Sequence, residues 1–241
     1  MRSVLLTPIA CALLAQDAWA QAAPPPVRAD SARLHGEFRT AIARLTDAEL
    51  AVTARLDART DSSSAPKVDP AVRDRHAKAL ATARALLDTV VLQRPWGGAM
   101  LQSLRNEHRG SALLDRYDAA LAVRDGRLGA ALERYDALLH DHSTDAELHR
   151  ERGDVLRTMG NTEGAIPAWE RALELGPEDE AVYGRLRAAH TDAGSLEQLL
   201  AQVRRLRVRR AESTILRDRE IELLHRLGRL EDAAKVAGAR P

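Results

Sequence analysis

Arginines stand at positions 116, 150, 185 and 219, at intervals of 34, 35 and 34 residues. A guanidinium group is planar and always charged. Its fixed fork of N–H donors can give two parallel hydrogen bonds to one carboxylate. A row of such groups at a nearly constant interval is chemistry for holding acidic groups. The competing reading is a solvated face in which Glu and Asp balance the arginines and each pair contributes little. A second basic feature is 203–210, VRRLRVRR, with arginines at 204, 205, 207, 209 and 210. It suits an acidic partner, an anionic lipid or a polyanion, but also a plain charge run diluted by Glu212, Asp218 and Glu220.

Other chemistry is sparse. His140-Asp141-His142 has two imidazoles two residues apart, but no third ligand is fixed by spacing, so a polar turn is expected there and no metal. The chain has no Gly-rich phosphate loop, no H-E-x-x-H and no G-x-S-x-G, the patterns that cradle phosphate, bind zinc or expose a nucleophilic serine. The chain therefore reads as non-catalytic, with no cofactor.

What positions the arginines is a period. Gly126, Gly160, Gly194 and Gly228 follow one another at a step of 34 each time. Five residues after each stands Ala131, Ala165, Leu199 and Ala233, and nine after each Tyr135, Trp169, Val203 and Ala237. The most complete copy is 146–179, AELHRERGDVLRTMGNTEGAIPAWERALELGPED. Small residues at Gly153 and Ala165 would let two antiparallel helices approach closely, with Gly160 ending the first helix and Pro177 the second. By Gly153, Gly160, Ala165, Trp169, Ala172 and Pro177 this segment resembles a tetratricopeptide repeat (TPR).

The resemblance implies an all-α fold, a TPR α-solenoid of about four helix-turn-helix repeats at 112–145, 146–179, 180–213 and 214–241. Gly126, Gly160, Gly194 and Gly228 would each close the first helix of one repeat. A degenerate repeat or N-terminal cap at 71–111 would precede them, with Ala85 and Gly97 at its helix crossing. In that family the first helices line a groove that holds peptides. Carried over, the groove positions include Arg116, Arg150, Asp154, Arg157, Arg185, Arg219, Glu222 and Arg226. The family's carboxylate clamp does not carry over, because Ala120 and Glu151 stand where it has asparagines. The last repeat has no polar capping helix after it, so its outer edge, around Val236, is expected to be either a docking edge or a frayed end.

Composition agrees with helices: charged residues are 29% of the chain and aromatics 3%, poor material for a sandwich or barrel. The net charge of +1 gives no global field for nucleic acid. Residues 1–20 read as a signal peptide. Arg2 is followed by the apolar run VLLTPIACALLA, too short to span a membrane, and then by Ala18-Trp19-Ala20, a small-x-small cleavage site. The only cysteine, Cys11, would leave with it. Residues 21–30 are a Pro-rich spacer and 60–70 a polar linker. Between them, 31–59 carries an apolar stripe at Leu34, Phe38, Ala41, Leu45, Ala48, Val52 and Leu56. That stripe is either a coiled-coil seam for a homo-oligomer or the buried side of an amphipathic helix folded back on the solenoid.

The order of signal, stripe, linker and repeats resembles the Tol-associated periplasmic proteins of the CpoB/YbgF type in architecture. The chain is accordingly expected to be a periplasmic adaptor that binds an acidic or C-terminal peptide segment of another envelope protein, with no transmembrane segment in the mature chain. The alternative is an accessory or regulatory subunit of an envelope enzyme or of an outer-membrane secretion or export machine.

Overall fold

The computed structural model describes residues 32–34, 36–44, 70–176 and 178–238. The signal peptide, the spacer, most of the 60–70 linker, Pro177 and the later part of the apolar stripe lie outside the described residues. All regular structure among the described residues is helical: α1 (36–44, with 32–34 also helical), α2 (Pro70–Val90), α3 (Gly97–Glu107), α4 (Ala112–Arg124), α5 (Leu128–Asp141), α6 (Ala146–Thr158), α7 (Thr162–Leu175), α8 (Glu180–Asp192), α9 (Leu196–Arg209), α10 (Thr214–Arg226) and α11 (Leu230–Gly238). The fold is an all-α TPR solenoid. The chain divides into two compact units at Arg124/Asp125, within the segment 112–145.

The first unit has its own core, in which Phe38, Ala41 and Ile42 of α1 are buried with Ala83, Leu87, Met100, Leu104, Leu114 and Tyr117. Arg39 of α1 pairs with Glu107 of α3 at 2.7 Å. Over 36–44 the apolar stripe is therefore consumed inside the chain's own fold, and Ile42, outside the predicted stripe, is part of it. The expected crossing is half right. A Cβ on Gly97 would lie 2.3 Å from the Val90 carbonyl oxygen and 2.6 Å from Val91 Cα, so only glycine lets α3 start against the end of α2. Ala85, however, is exposed, and Ala83 and Leu87 face inward. With 21 residues, α2 is too long for the 34-residue frame to carry its register across.

The second unit holds α5 to α11, and within it the period is physical. Gly160, Gly194 and Gly228 have φ of 83°, 64° and 72°, the left-handed region that costs a glycine little. Each donates to the carbonyl three residues back, and the next residue donates five back: Asn161 to Leu156, Ser195 to His190, Arg229 to Leu224. This is the Schellman stop, which satisfies carbonyls the helix end would leave bare. The starts are periodic too. Asp145 accepts from the N–H groups of Glu147 and Leu148, Asp179 from Ala181 and Val182, and Ser213 from Leu216. These N-caps are 34 residues apart, a signal the glycines overshadow in the sequence.

Gly126 shares this conformation. Its φ of 74° puts it in the same left-handed region, and it is exposed between α4 and α5, as a turn glycine should be. The division between the two units falls just before it, between Arg124 and Asp125.

In the helix that follows each glycine, Ala131, Ala165, Leu199 and Ala233 are buried, as are Tyr135, Trp169 and Val203. Gly153 sits against the Trp169 indole: a Cβ there would meet Cδ1 and Nε1 at 2.5 Å.

Candidate peptide-binding face

In the second unit the first helix of each repeat (α6, α8, α10) carries the charged side chains expected to line a groove. They converge on two carboxylates. Asp154 of α6 accepts from Trp169 Nε1 at 3.1 Å. Arg185 of α8 pairs with it at 3.0 Å, and Arg150, one turn back on α6, at 3.4 Å. Arg150 also contacts Glu151 at 3.4 Å. Arg157 is exposed, its guanidinium carbon 6.0 Å from the centre of the Trp169 ring. Asp154 thus joins the second helix of its own repeat to the first helix of the next.

Glu222 of α10 is the second centre. It accepts from Arg187 of α8 at 2.5 Å, from Arg226 at 3.0 Å and from the Tyr183 hydroxyl at 3.1 Å. Burial pushes the Glu222 carboxyl up, but the bonds from Arg226, Arg187 and Tyr183 outweigh it and hold its pKa below the ordinary value. Burial and the adjacent Glu222 carboxylate push the Tyr183 hydroxyl well up.

Arg219 departs from its expected place. Its side chain is only 4% exposed, with the guanidinium carbon 4.5 Å from the Tyr183 ring centre and Nη2 donating to the Glu178 carbonyl and the Glu180 carboxylate, each at 3.1 Å. It is a buried strut between repeats, not a groove donor. Position 219 falls on the side of α10 turned to α8, and its apolar stem and flat head fit there against an aromatic face. Arg116 lies on α4, in the first unit, so the four arginines do not form a single described row. Arg150, Arg157, Arg185 and Arg226 keep some exposure, and carboxylates of the same face already hold most of them.

The run 203–210 divides in the same way. Glu220 of α10 has a side chain 5% exposed, and Arg204 at 2.8 Å and Arg207 both hold it. Arg210 donates to the carbonyls of Glu174 and Gly176 at 2.9 and 3.0 Å, closing the end of α7. Three of the five arginines therefore brace adjacent repeats. Arg205, Val208 and Arg209 remain exposed. His140, Asp141 and His142 are exposed at the end of α5, and no group of three metal-ligating side chains occurs among the described residues. No described helix is long and apolar enough to cross a membrane.

The sequence reading missed Asp154 and Glu222 as centres, the Glu220 brace and the Tyr183–Arg219 stack. Each links different repeats through side chains, with no local spacing to announce it.

Comparison with known families finds the tetratricopeptide-repeat model matching twice, over residues 118–180 and 151–212. No curated protein was found to match the chain. Solenoids of this kind are typically non-catalytic scaffolds for protein–protein contact. The overlapping matches, the 34-residue recurrence of caps and glycine stops, and the buried small residues opposite Trp169 agree that residues 118–212 are a run of tetratricopeptide repeats.

Proposed function

We propose that the chain is a periplasmic adaptor that docks a peptide segment of another envelope protein on the α6–α8–α10 face. The observation that carries this reading is the state of the guanidinium groups at Arg150 and Arg157. Among the described residues Arg150 is held by Asp154 and Glu151 at 3.4 Å, and Arg157 is exposed. Both can turn to a ligand carboxylate without breaking a short internal ion pair. Because Asp154 and Glu222 already neutralise much of the face, the ligand carboxylate competes with them, which favours recognition of one or two acidic groups over a polyanion. The apolar run and small-x-small site of residues 1–20 support export.

The test has two arms. A reporter active only after export, fused to residues 1–30, should gain activity in the envelope and lose it when the apolar run is deleted. A photo-crosslinker at position 157 should capture a discrete envelope protein, and a synthetic peptide from the captured segment should bind the mature chain. Replacing Arg150 and Arg157 by Gln should weaken that peptide about tenfold or more, since a hydrogen bond to a charged group contributes about 1.5–3 kcal/mol. Equal affinity of the double variant, with helical ellipticity unchanged, would sink the reading.

A further inference from the structure

His190 of α8 has a side chain only 1% exposed. Its Nδ1 lies 2.8 Å from the Ser195 hydroxyl, in the turn that ends α8. Its Nε2 is buried without a hydrogen-bond partner and points to the Glu170 carboxylate of α7, 3.9 Å away. From the other side, α9 brings Gln202, whose amide nitrogen donates to the Glu170 carbonyl at 3.4 Å while its side-chain oxygen has no partner. Two more charged groups act on Glu170: Arg205 of α9 favours its ionised form, and Glu174 on its own helix opposes it. Three helices from two repeats thus meet on a half-satisfied polar cluster, beside a core built from apolar side chains of the same helices.

A carboxylate facing Nε2 favours the tautomer with a proton on that nitrogen, so Ser195 donates to Nδ1. A second proton must enter at Nδ1, which reverses the Ser195 bond and puts a full charge into the core. We infer that the His190–Glu170–Ser195 cluster is an acid-operated latch that loosens the α7–α8–α9 junction when His190 is protonated. Burial lowers the imidazole pKa, partly opposed by an interaction with the Ser195 backbone. Burial raises the Glu170 carboxyl, with Arg205 opposing and Glu174 adding.

The sign follows from linkage. A histidine whose folded pKa lies below its unfolded value of 6.5 binds more protons when unfolded, so stability falls as pH drops below that value. Glu170, with its pKa raised above 4.5, acts in reverse. It returns part of the loss at lower pH, as the folded chain takes up a proton the unfolded chain does not. The latch therefore opens in a window of mild acid, between the ordinary histidine and carboxylate ranges.

The test is amide hydrogen exchange of the mature chain between about pH 7.5 and about pH 5.5, the range in which an ordinary histidine titrates, corrected for the intrinsic rate. Amides of α8 and α9 should open more often at the lower pH. In His190→Gln, which keeps a polar group but cannot charge, that acid response should vanish. In Glu170→Gln it should grow, because the imidazolium loses the carboxylate that faces it. An NMR titration of the His190 ring in the unmodified chain serves if a variant fails to fold. An imidazole titrating at or above the ordinary value, or an acid response that survives in His190→Gln, overturns the proposal.

Discussion

The contact between Gly153 and Trp169 gives the sharpest quantitative test of the repeat packing. Gly153 lies inside α6, where alanine normally stabilises a helix by about 1 kcal/mol relative to glycine. A methyl group at this position would meet the indole at 2.5 Å, more than an ångström inside contact distance. The indole has no room to retreat, since Trp169 is fully buried and its Nε1 is held by Asp154. Overpacking of this kind costs about 1–3 kcal/mol. Gly153→Ala should therefore lose stability, by a net of about 1 kcal/mol, against the direction of helix propensity. In a Trp169→Leu background the obstacle is gone, and the same substitution should now stabilise by up to about 1 kcal/mol. The sign reversal is the signature, and the coupling of about 2 kcal/mol is well above what independent sites show. Urea unfolding of the four chains of this cycle, followed by helical ellipticity, measures it. An equal effect of Gly153→Ala in both backgrounds would refute the claim that this glycine exists to admit the indole.

Removal of Glu220, whose carboxylate braces Arg204 and Arg207, should cost about 1–3 kcal/mol as Glu220→Ala, since it removes charge-assisted hydrogen bonds while the two arginines, 41% and 29% exposed, turn to water. Arg209→Ala, at an exposed position in the same run, should stay within about 0.5 kcal/mol in parallel urea melts. Glu222 has a folded pKa held below the ordinary value of 4.5. Its contribution is therefore present above that value and is lost as pH falls through the folded one. Glu222→Gln should flatten the acid limb of a stability–pH profile, and an unchanged limb would contradict the Arg187–Glu222–Tyr183 geometry. Phe38→Ala in α1 should cost about 3–5 kcal/mol in the first unit, read as faster amide exchange in α2 and α3. A neutral result would mean that α1 is not part of that core.

The backbone periodicity was the legible part. Glycine turns, small residues five positions on and the aromatic at 169 follow from local sterics, and local sterics repeat with the sequence. Gly126 shows the limit of that legibility: its left-handed φ was readable from the spacing, but the division of the chain beside it depends on contacts far apart in sequence. Side-chain partnership was less legible because it depends on which side of a helix faces the next repeat. Arg204 and Arg207 are three residues apart and share a side, so both reach Glu220. Arg205 and Arg209, four apart, share a different side and meet solvent. Read linearly, the five arginines look like one patch. Arg219 shows the same difficulty, since its spacing matches Arg185 within one step of 34 while its guanidinium is buried against Tyr183. Ala85 failed for another reason: Leu92 stands at the position, 34 residues before Gly126, where a glycine stop would have kept its register in phase.

The matching caps and stops have a consequence for how such a chain can change length. Each cap at 145, 179 or 213 is followed by a glycine stop 15 residues later, so cutting at one cap and rejoining at the next removes a helix pair without creating a new junction. Loss of 180–213 would bring residue 219 to the place that 185 now holds, and Asp154 would again find an arginine there. Gain of a unit by copying would extend the array in the same way. What resists interchange is the set of private pairs, Glu220 with Arg204 and Arg207, and Glu222 with Arg187. A rearranged gene would therefore encode a chain that still folds turn by turn, while its neighbouring repeats would have to find new partners.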